Sequence, residues 1–182
     1  MCVAGLRRIA LQASAAQAAR WSALVDRLLN SAASDCLHPD GRWQRSPDDP
    51  RVDASLLLPA IRGALPSSDP RSPATLDAVN RELVRDGYAY RYRPDERPLG
   101  EAEGSFLLFG FVMALAMHAQ GEEVEARGWL ERSSAATGPP GLFTEEYDAG
   151  ERQLRGNLPQ AFVHGLLLEA SHRLAEDRPP GP

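Results

Sequence analysis

Thr144-Glu145-Glu146-Tyr147-Asp148 places adjacent carboxylates in a polar, Gly-rich stretch. Twelve residues beyond Thr144 begins Gly156-Asn157-Leu158-Pro159-Gln160-Ala161-Phe162-Val163-His164, which leads into an apolar segment. An acid in a loop that precedes a helix can be aimed into a cleft by a rigid element behind it. Carboxylates so placed suit general acid–base work, in which one group removes or supplies a proton as a bond breaks. The competing reading of Glu145 and Glu146 is two solvated loop acids. Arg91, in Tyr90-Arg91-Tyr92, offers a planar fork for a sugar or a brace for its own loop. Glu101 and Glu103 flank a turn and can accept hydrogen bonds from sugar hydroxyls. Glu103 can equally well stabilise a helix N-terminus. His38, His118, His164 and His172 have no metal-ligand spacing, and no cofactor motif occurs in the chain.

Helices must position these groups. Val3, Leu6, Ile9, Ala10 and Ala13 form one stripe, and Trp21, Leu24, Val25, Leu28, Leu29 and Ala32 form another at helical spacing. Asp53 is a good N-cap for the short apolar run Ala54–Leu58. Ser72-Pro73 predicts the opening of the next helix, lined by Leu76, Val79 and Leu83 and stopped at Asp86-Gly87. Tyr88–Tyr92 reads as a short extended piece. Ser105–Gln120 is apolar on most sides, which predicts an inner helix buried all round, with Gly121 as its stop. Val124–Thr137 and Pro159–Ala175 complete about seven helices. Long connections fall at residues 37–52, 92–104 and 138–157. The fold class is all-α. Buried helices alternating with amphipathic ones suit a toroid of helical hairpins, and periodicity alone also allows a bundle or a solenoid. No repeat of fixed period occurs.

The chain has 182 residues, 43% of them hydrophobic, which suits one domain with a sizeable core. A net charge of -5 gives no reason to expect nucleic acid as a partner. All 20 basic residues are Arg, which reads as base composition. Cys2 and Cys36 have no disulfide or metal spacing and are expected to be small buried hydrophobes. No membrane span or leader is recognisable, so a cytoplasmic location is expected. Residues 176–182 read as a disordered tail.

Several segments together resemble bacterial members of glycoside hydrolase family 15, the glucoamylases and glucoamylase-like trehalases. Asp53-Ala54-Ser55-Leu56-Leu57-Leu58-Pro59 followed by Asp69-Pro70-Arg71 is similar to the family's "DASLLLLP … DPR", with one Leu fewer. Tyr90-Arg91-Tyr92 resembles "YRY", Glu103-Gly104-Ser105-Phe106-Leu107 resembles "EGAFL", and Met1–Arg8 resembles the "MCWVALDRA" helix. The carboxylate and Gly156–His164 segments resemble the family's C-terminal catalytic segment. Leu158 and Val163 stand where "GNFPQAFSH" has Phe and Ser. Phe109 and Val112 stand where Cys and Trp are frequent.

The resemblance implies an (α/α)6 barrel, of which residues 1–175 would be roughly the C-terminal half. It implies exo-hydrolysis of an α-glucoside or oligosaccharide with inversion, using no cofactor and no metal. One carboxylic acid protonates the leaving oxygen while a second carboxylate activates water from the opposite face, the pair being roughly 6.5–9.5 Å apart. By motif, Glu145 corresponds to the general base. Glu146 lies beside it, Tyr147 would support it, Arg91 falls where the family places a sugar-binding arginine, and Arg91, Glu103, Glu146 and Tyr147 are expected to bind substrate. His164 would make a structural hydrogen bond. The general acid lies in a "GIWE" motif, which this sequence lacks. The chain is therefore expected to carry the base half of a site and to be weak or inactive alone. The alternative is a non-catalytic helical remnant serving as an interaction module or as one subunit of a split enzyme, with self-association or a partner chain covering its edges.

Overall fold

The computed structural model describes residues 1–93 and 104–176. The Glu101 and Glu103 positions and residues 177–182 of the expected tail lie outside the described residues; Glu176, expected to open that tail, instead ends the last helix. Seven helices are described: α1 (Cys2–Ala10), α2 (Ala15–Asp35), α3 (Leu58–Ile61, preceded by a 3-10 turn at Ala54–Leu57), α4 (Arg71–Leu83), α5 (Leu107–Ala119), α6 (Glu123–Ala135) and α7 (Ala161–Glu176). The fold is all-α, with five short strands confined to connections.

Two layers result. The inner layer is α3, α5 and α7, with α5 touching both neighbours. The outer layer is α4, against the 3-10 turn, and α6, against α5 and α7. Every residue of α5 from Phe109 to Met117 is buried, as expected for a helix with no polar stripe. Gly110 lets α6 approach: a Cβ there would stand 2.1 Å from the Ser133 hydroxyl oxygen. The α1–α2 pair forms a separate small core of Val3, Val25 and Ala64. Arg7 fastens it to the array by donating to the carbonyls of Gly63 (2.7 Å) and Ala64 (3.0 Å). Arg62 pairs with Glu169, which also accepts from Arg173 at 2.7 Å. This joins the end of α3 to the C-terminal half of α7.

Local chemistry sets the element ends. Ser14 caps α2 through a capping box with Gln17. Asp53 caps the 3-10 turn by accepting from the Ser55 amide at 2.8 Å. The Asp69 carboxylate binds the Arg71 amide and guanidinium at 3.0, 2.8 and 2.7 Å, bracing the start of α4. That helix begins at Arg71, so Pro73 lies inside its first turn rather than at its first position.

The connections from outer to inner helices differ from the expected loops. Asp86-Gly87 is the turn of a hairpin between β1 (Val84–Arg85) and β2 (Tyr88–Ala89). Both turn residues have positive φ, 50° and 79°, as a two-residue hairpin turn requires. β3 (Ser105–Phe106), β4 (Glu146–Asp148) and β5 (Gln153–Arg155) form an antiparallel sheet in that order. Ser105 lies opposite Tyr147, and Tyr147 opposite Leu154. These strands are too short for a period to be read. Cys2 is exposed and Cys36 half-buried, both as free thiols, which corrects their expected burial. No described helix is long and apolar enough to cross a membrane.

Candidate active site

The connections that lead into α3, α5 and α7 meet at one end of the array. The Leu107 amide, at the start of α5, donates to the Glu145 carbonyl at 3.1 Å. The Ala54 amide, at the start of the 3-10 turn, donates to the Arg91 carbonyl at 3.1 Å. The rings of Tyr88 and Tyr147 lie 4.9 Å apart. Arg91 and Glu145 therefore share the end at which the inner helices begin. The α3–α4 and α5–α6 turns lie at the other end, where Gln120 donates to the Ser67 carbonyl at 2.8 Å.

Glu145 immediately precedes β4 and is half-buried. The Asn157 side-chain amide donates to its carboxylate at 2.9 Å, and the Glu145 amide donates to the Asn157 carbonyl at 3.0 Å. Gly156 has φ 75°. A Cβ there would stand 3.0 Å from the Glu145 Cβ and 3.2 Å from its Oε2. The glycine thus supplies both the left-handed backbone and the space beside the carboxylate.

Glu146 points elsewhere, as a neighbour in extended backbone must. Its Oε2 accepts from the Gly104 amide at 2.8 Å, and the Thr144 hydroxyl donates to its carbonyl at 2.7 Å. The Glu146 carboxylate closes the junction between the two connections. Tyr147 packs against Tyr88 with the rings tilted by 41°. Burial, with the Tyr147 hydroxyl adding to it, pushes the Tyr88 phenol up, so it stays protonated at neutral pH. Asp148 accepts from the amides of Gly150 (3.1 Å) and Glu151 (3.0 Å) and pairs with Arg155 at 3.3 Å. That ordering of the β4–β5 turn holds the whole segment in one register.

The Arg91 guanidinium lies 3.7 Å from the Asp53 carboxylate and 4.9 Å over the Tyr92 ring. Asp53 therefore both caps the 3-10 turn and orients Arg91. His164 accepts from the Phe143 amide through Nε2 at 3.3 Å, and its Nδ1 meets the Gln160 carbonyl at 2.9 Å. Its ring lies edge-on to Phe143 at 5.2 Å. Both nitrogens are thus used in tying α7 to the loop, the structural role expected of it. Among the described residues no cluster of His, Cys, Asp and Glu could hold a metal ion.

Glu145, Glu146, Tyr147 and Arg91 share one end of the molecule. Sequence reasoning did not assign Asn157 as the partner of Glu145, nor Tyr88 as the partner of Tyr147. The Gly156-Asn157 pair carried a signal for the first, since a glycine before an amide side chain marks a bend that can turn it back on the preceding strand. Nothing local signalled the second.

The family model described as glycosyl hydrolases family 15 matches residues 2–172. The chain is similar to a trehalase of Mycolicibacterium smegmatis, 33% identical over 168 residues, which is 91% of this chain and 25% of that protein. It is also similar to a trehalase of Mycobacterium tuberculosis, 32% identical over 161 residues, 87% of this chain and 24% of that protein. A trehalase of Thermoplasma acidophilum is 31% identical over 159 residues, 86% of this chain and 27% of that protein. The chain thus spans about a quarter of the length of these relatives. Among solved structures, a glycosidase variant in complex with glucose superposes with a TM-score of 0.78 at 20% identity, over 95% of this chain and 50% of that one. The same fold recurs in a wild-type glycosidase, with a TM-score of 0.71 at 21% identity, over 89% of this chain and 45% of that one. Matched from its second residue almost to the end of α7, and built as half of that helical-hairpin fold, the chain belongs to glycosyl hydrolase family 15.

Proposed function

We propose that this chain carries the general-base half of an inverting α-glucoside hydrolase site, with trehalose as the substrate. The observation that carries the proposal is the setting of Glu145. Its carboxylate is held by Asn157, and its backbone is tied to the start of inner helix α5. A carboxylate held in this way can accept the proton of a water molecule attacking the anomeric carbon. Arg91, oriented by Asp53 at the same end, donates to sugar hydroxyls. Glu146, engaged with the Gly104 amide, shapes the loop rather than touching the water. Tyr147 and Tyr88 support the wall behind it. Trehalose is preferred over maltooligosaccharides because the similar proteins above are trehalases.

Inversion needs a second carboxyl group to protonate the leaving oxygen. In this reading it comes from the remainder of a family 15 domain, on the same polypeptide or a separate one. The same remainder would cover the exposed apolar side chains of α1 and α7. Those side chains also favour a second reading, in which the chain is a non-catalytic module that only associates.

Mixing the chain with the N-terminal part of a family 15 domain that bears the acid tests both readings. Glucose release from trehalose and from maltose is measured. Hydrolysis of trehalose, cut by about 10²–10⁴-fold in Glu145→Gln and much less in Glu146→Gln, is expected. Equal and small effects of the two changes would show that the base is misassigned. Association without turnover would establish the module.

A further inference from the structure

A concave site lies between the connection 36–53, the end of α4 and the β2 side of the connection 84–106. It is a cavity of about 280 Å³. Four guanidinium groups line it: Arg42, Arg45, Arg51 and Arg93. The carboxylates nearby are already shared. Asp49 pairs with Arg51 at 2.8 Å and Arg45 at 3.4 Å. Those two guanidinium groups, the Arg51 hydrogen bond foremost, hold its carboxyl near about 2, so it is ionised and fully used. Glu82 pairs with Arg93 and Arg81, both at 3.4 Å.

Arg42 is the group left over. It is only 7% exposed, and one Nη donates to the Trp43 carbonyl at 3.2 Å. Its Nε is buried and has no hydrogen-bond partner among the described residues. A buried guanidinium without a counter-charge is costly, and a buried donor left unmade adds to the cost. An anion in the cavity would supply the counter-charge that Arg42 lacks. Several guanidinium forks around one cavity favour a tetrahedral oxyanion, which accepts from many directions, over a planar carboxylate, which presents one edge. His38, Val52 and Leu83 also line it.

We propose that this cavity binds a phosphate group, free or carried as a monoester on a small metabolite, with Arg42 as its principal ligand. The site is separate from Glu145. It is coupled to the Arg91 side of the molecule through Tyr92, whose ring lies under both Arg45 (4.3 Å) and Arg91 (4.9 Å).

Calorimetric titration of the chain with inorganic phosphate and with a hexose monophosphate, at pH 7 and constant ionic strength in chloride, tests this. Saturable binding of at least one is expected. Tighter binding of the free ion or of the ester identifies the source. Arg42→Gln should weaken it about tenfold or more, the loss of a charge-assisted hydrogen bond. Arg93→Gln should weaken it several-fold, and Arg8→Gln, on the exposed side of α1, should leave it unchanged. Arg93 is mostly exposed, so its variant tests the site even if Arg42→Gln does not fold. No saturable binding of either probe at millimolar concentration would overturn the proposal. So would binding indifferent to both the Arg42 and Arg93 substitutions, or displaced by chloride as readily as by sulfate.

Discussion

Asn157 grips Glu145 twice: its carbonyl accepts from the Glu145 amide at 3.0 Å, and its side-chain amide donates to the Glu145 carboxylate at 2.9 Å. The two bonds fix both the strand and the rotamer of the acid. A proton acceptor misplaced by an ångström loses much of its effect. In the completed hydrolase, Asn157→Ala is expected to lower kcat by about 10–100-fold with a much smaller change in KM. Steady-state kinetics on trehalose reads this directly. An unchanged kcat would mean that the bracket has no part in aiming the carboxylate.

The crossing of α5 and α6 gives a stability prediction. With a Cβ at position 110 only 2.1 Å from the Ser133 hydroxyl oxygen and 3.0 Å from its Cβ, the helices must move apart or Ser133 must turn. Overpacking of this kind costs about 1–3 kcal/mol. Gly110→Ala should therefore lower the unfolding free energy by that amount, despite the better helix propensity of alanine. Ser133→Ala in the same chain should recover part of the loss, because the oxygen is removed while the Cβ contact remains. Urea unfolding of the single and double variants checks both.

The elements that could be read in the sequence are those set by local chemistry or by an extreme pattern. Asp53 was legible as a cap because capping involves residues two apart. α5 was legible because a helix apolar on every side has only one place to go. Asp86-Gly87 was misread as a helix stop because a bend with positive φ serves a helix end and a hairpin turn alike. β3, β4 and β5 left no trace because two- or three-residue strands are made by their partners across the fold. The same holds at the site. Glu145 and Arg91 could be named from their motifs. The isolation of Arg42 depends on which carboxylates Arg45, Arg51 and Arg93 engage, and only the folded chain sets that.

The Asp69–Arg71 clamp gives a pH dependence. The side-chain hydrogen bond from Arg71 holds the Asp69 carboxyl below its ordinary range, against the opposing effect of burial. A carboxyl with a depressed folded pKa stabilises the fold above its unfolded pKa of about 3.9. The contribution fades as pH falls through the lower folded value. Asp69→Asn should thus be less stable than the parent at pH 7 by about 1–2 kcal/mol, the scale of a hydrogen bond to a charged group. The gap should close below pH 4. Thermal melts across pH 2–7 would record it, and a gap that persists at the acid end would assign the effect to shape rather than charge.

The helices at the two ends of the array carry several of the exposed apolar side chains. On α1 and just beyond it, Ile9 is 50% and Leu11 81% exposed; on α7, Phe162 is 76% and Leu168 70% exposed. Val163, Ala170 and Leu174 on the same helix are buried against the array, so α7 presents apolar surface both inward and outward. An amphipathic outer helix would be polar on its outward side, and α7 is instead built like an inner helix with one side uncovered. Covering a large apolar side chain contributes about 1.5–3 kcal/mol, and four such groups amount to a large share of a domain's net stability. The chain by itself should therefore associate as concentration rises, measured by light scattering between micromolar and hundred-micromolar protein. Phe162→Ser with Leu168→Ser should shift it toward monomer without lowering the melting temperature measured at concentrations where the parent is monomeric, since neither side chain is part of the buried core. A monomer at every concentration, with a single sharp melt, would mean that the two edges need no cover.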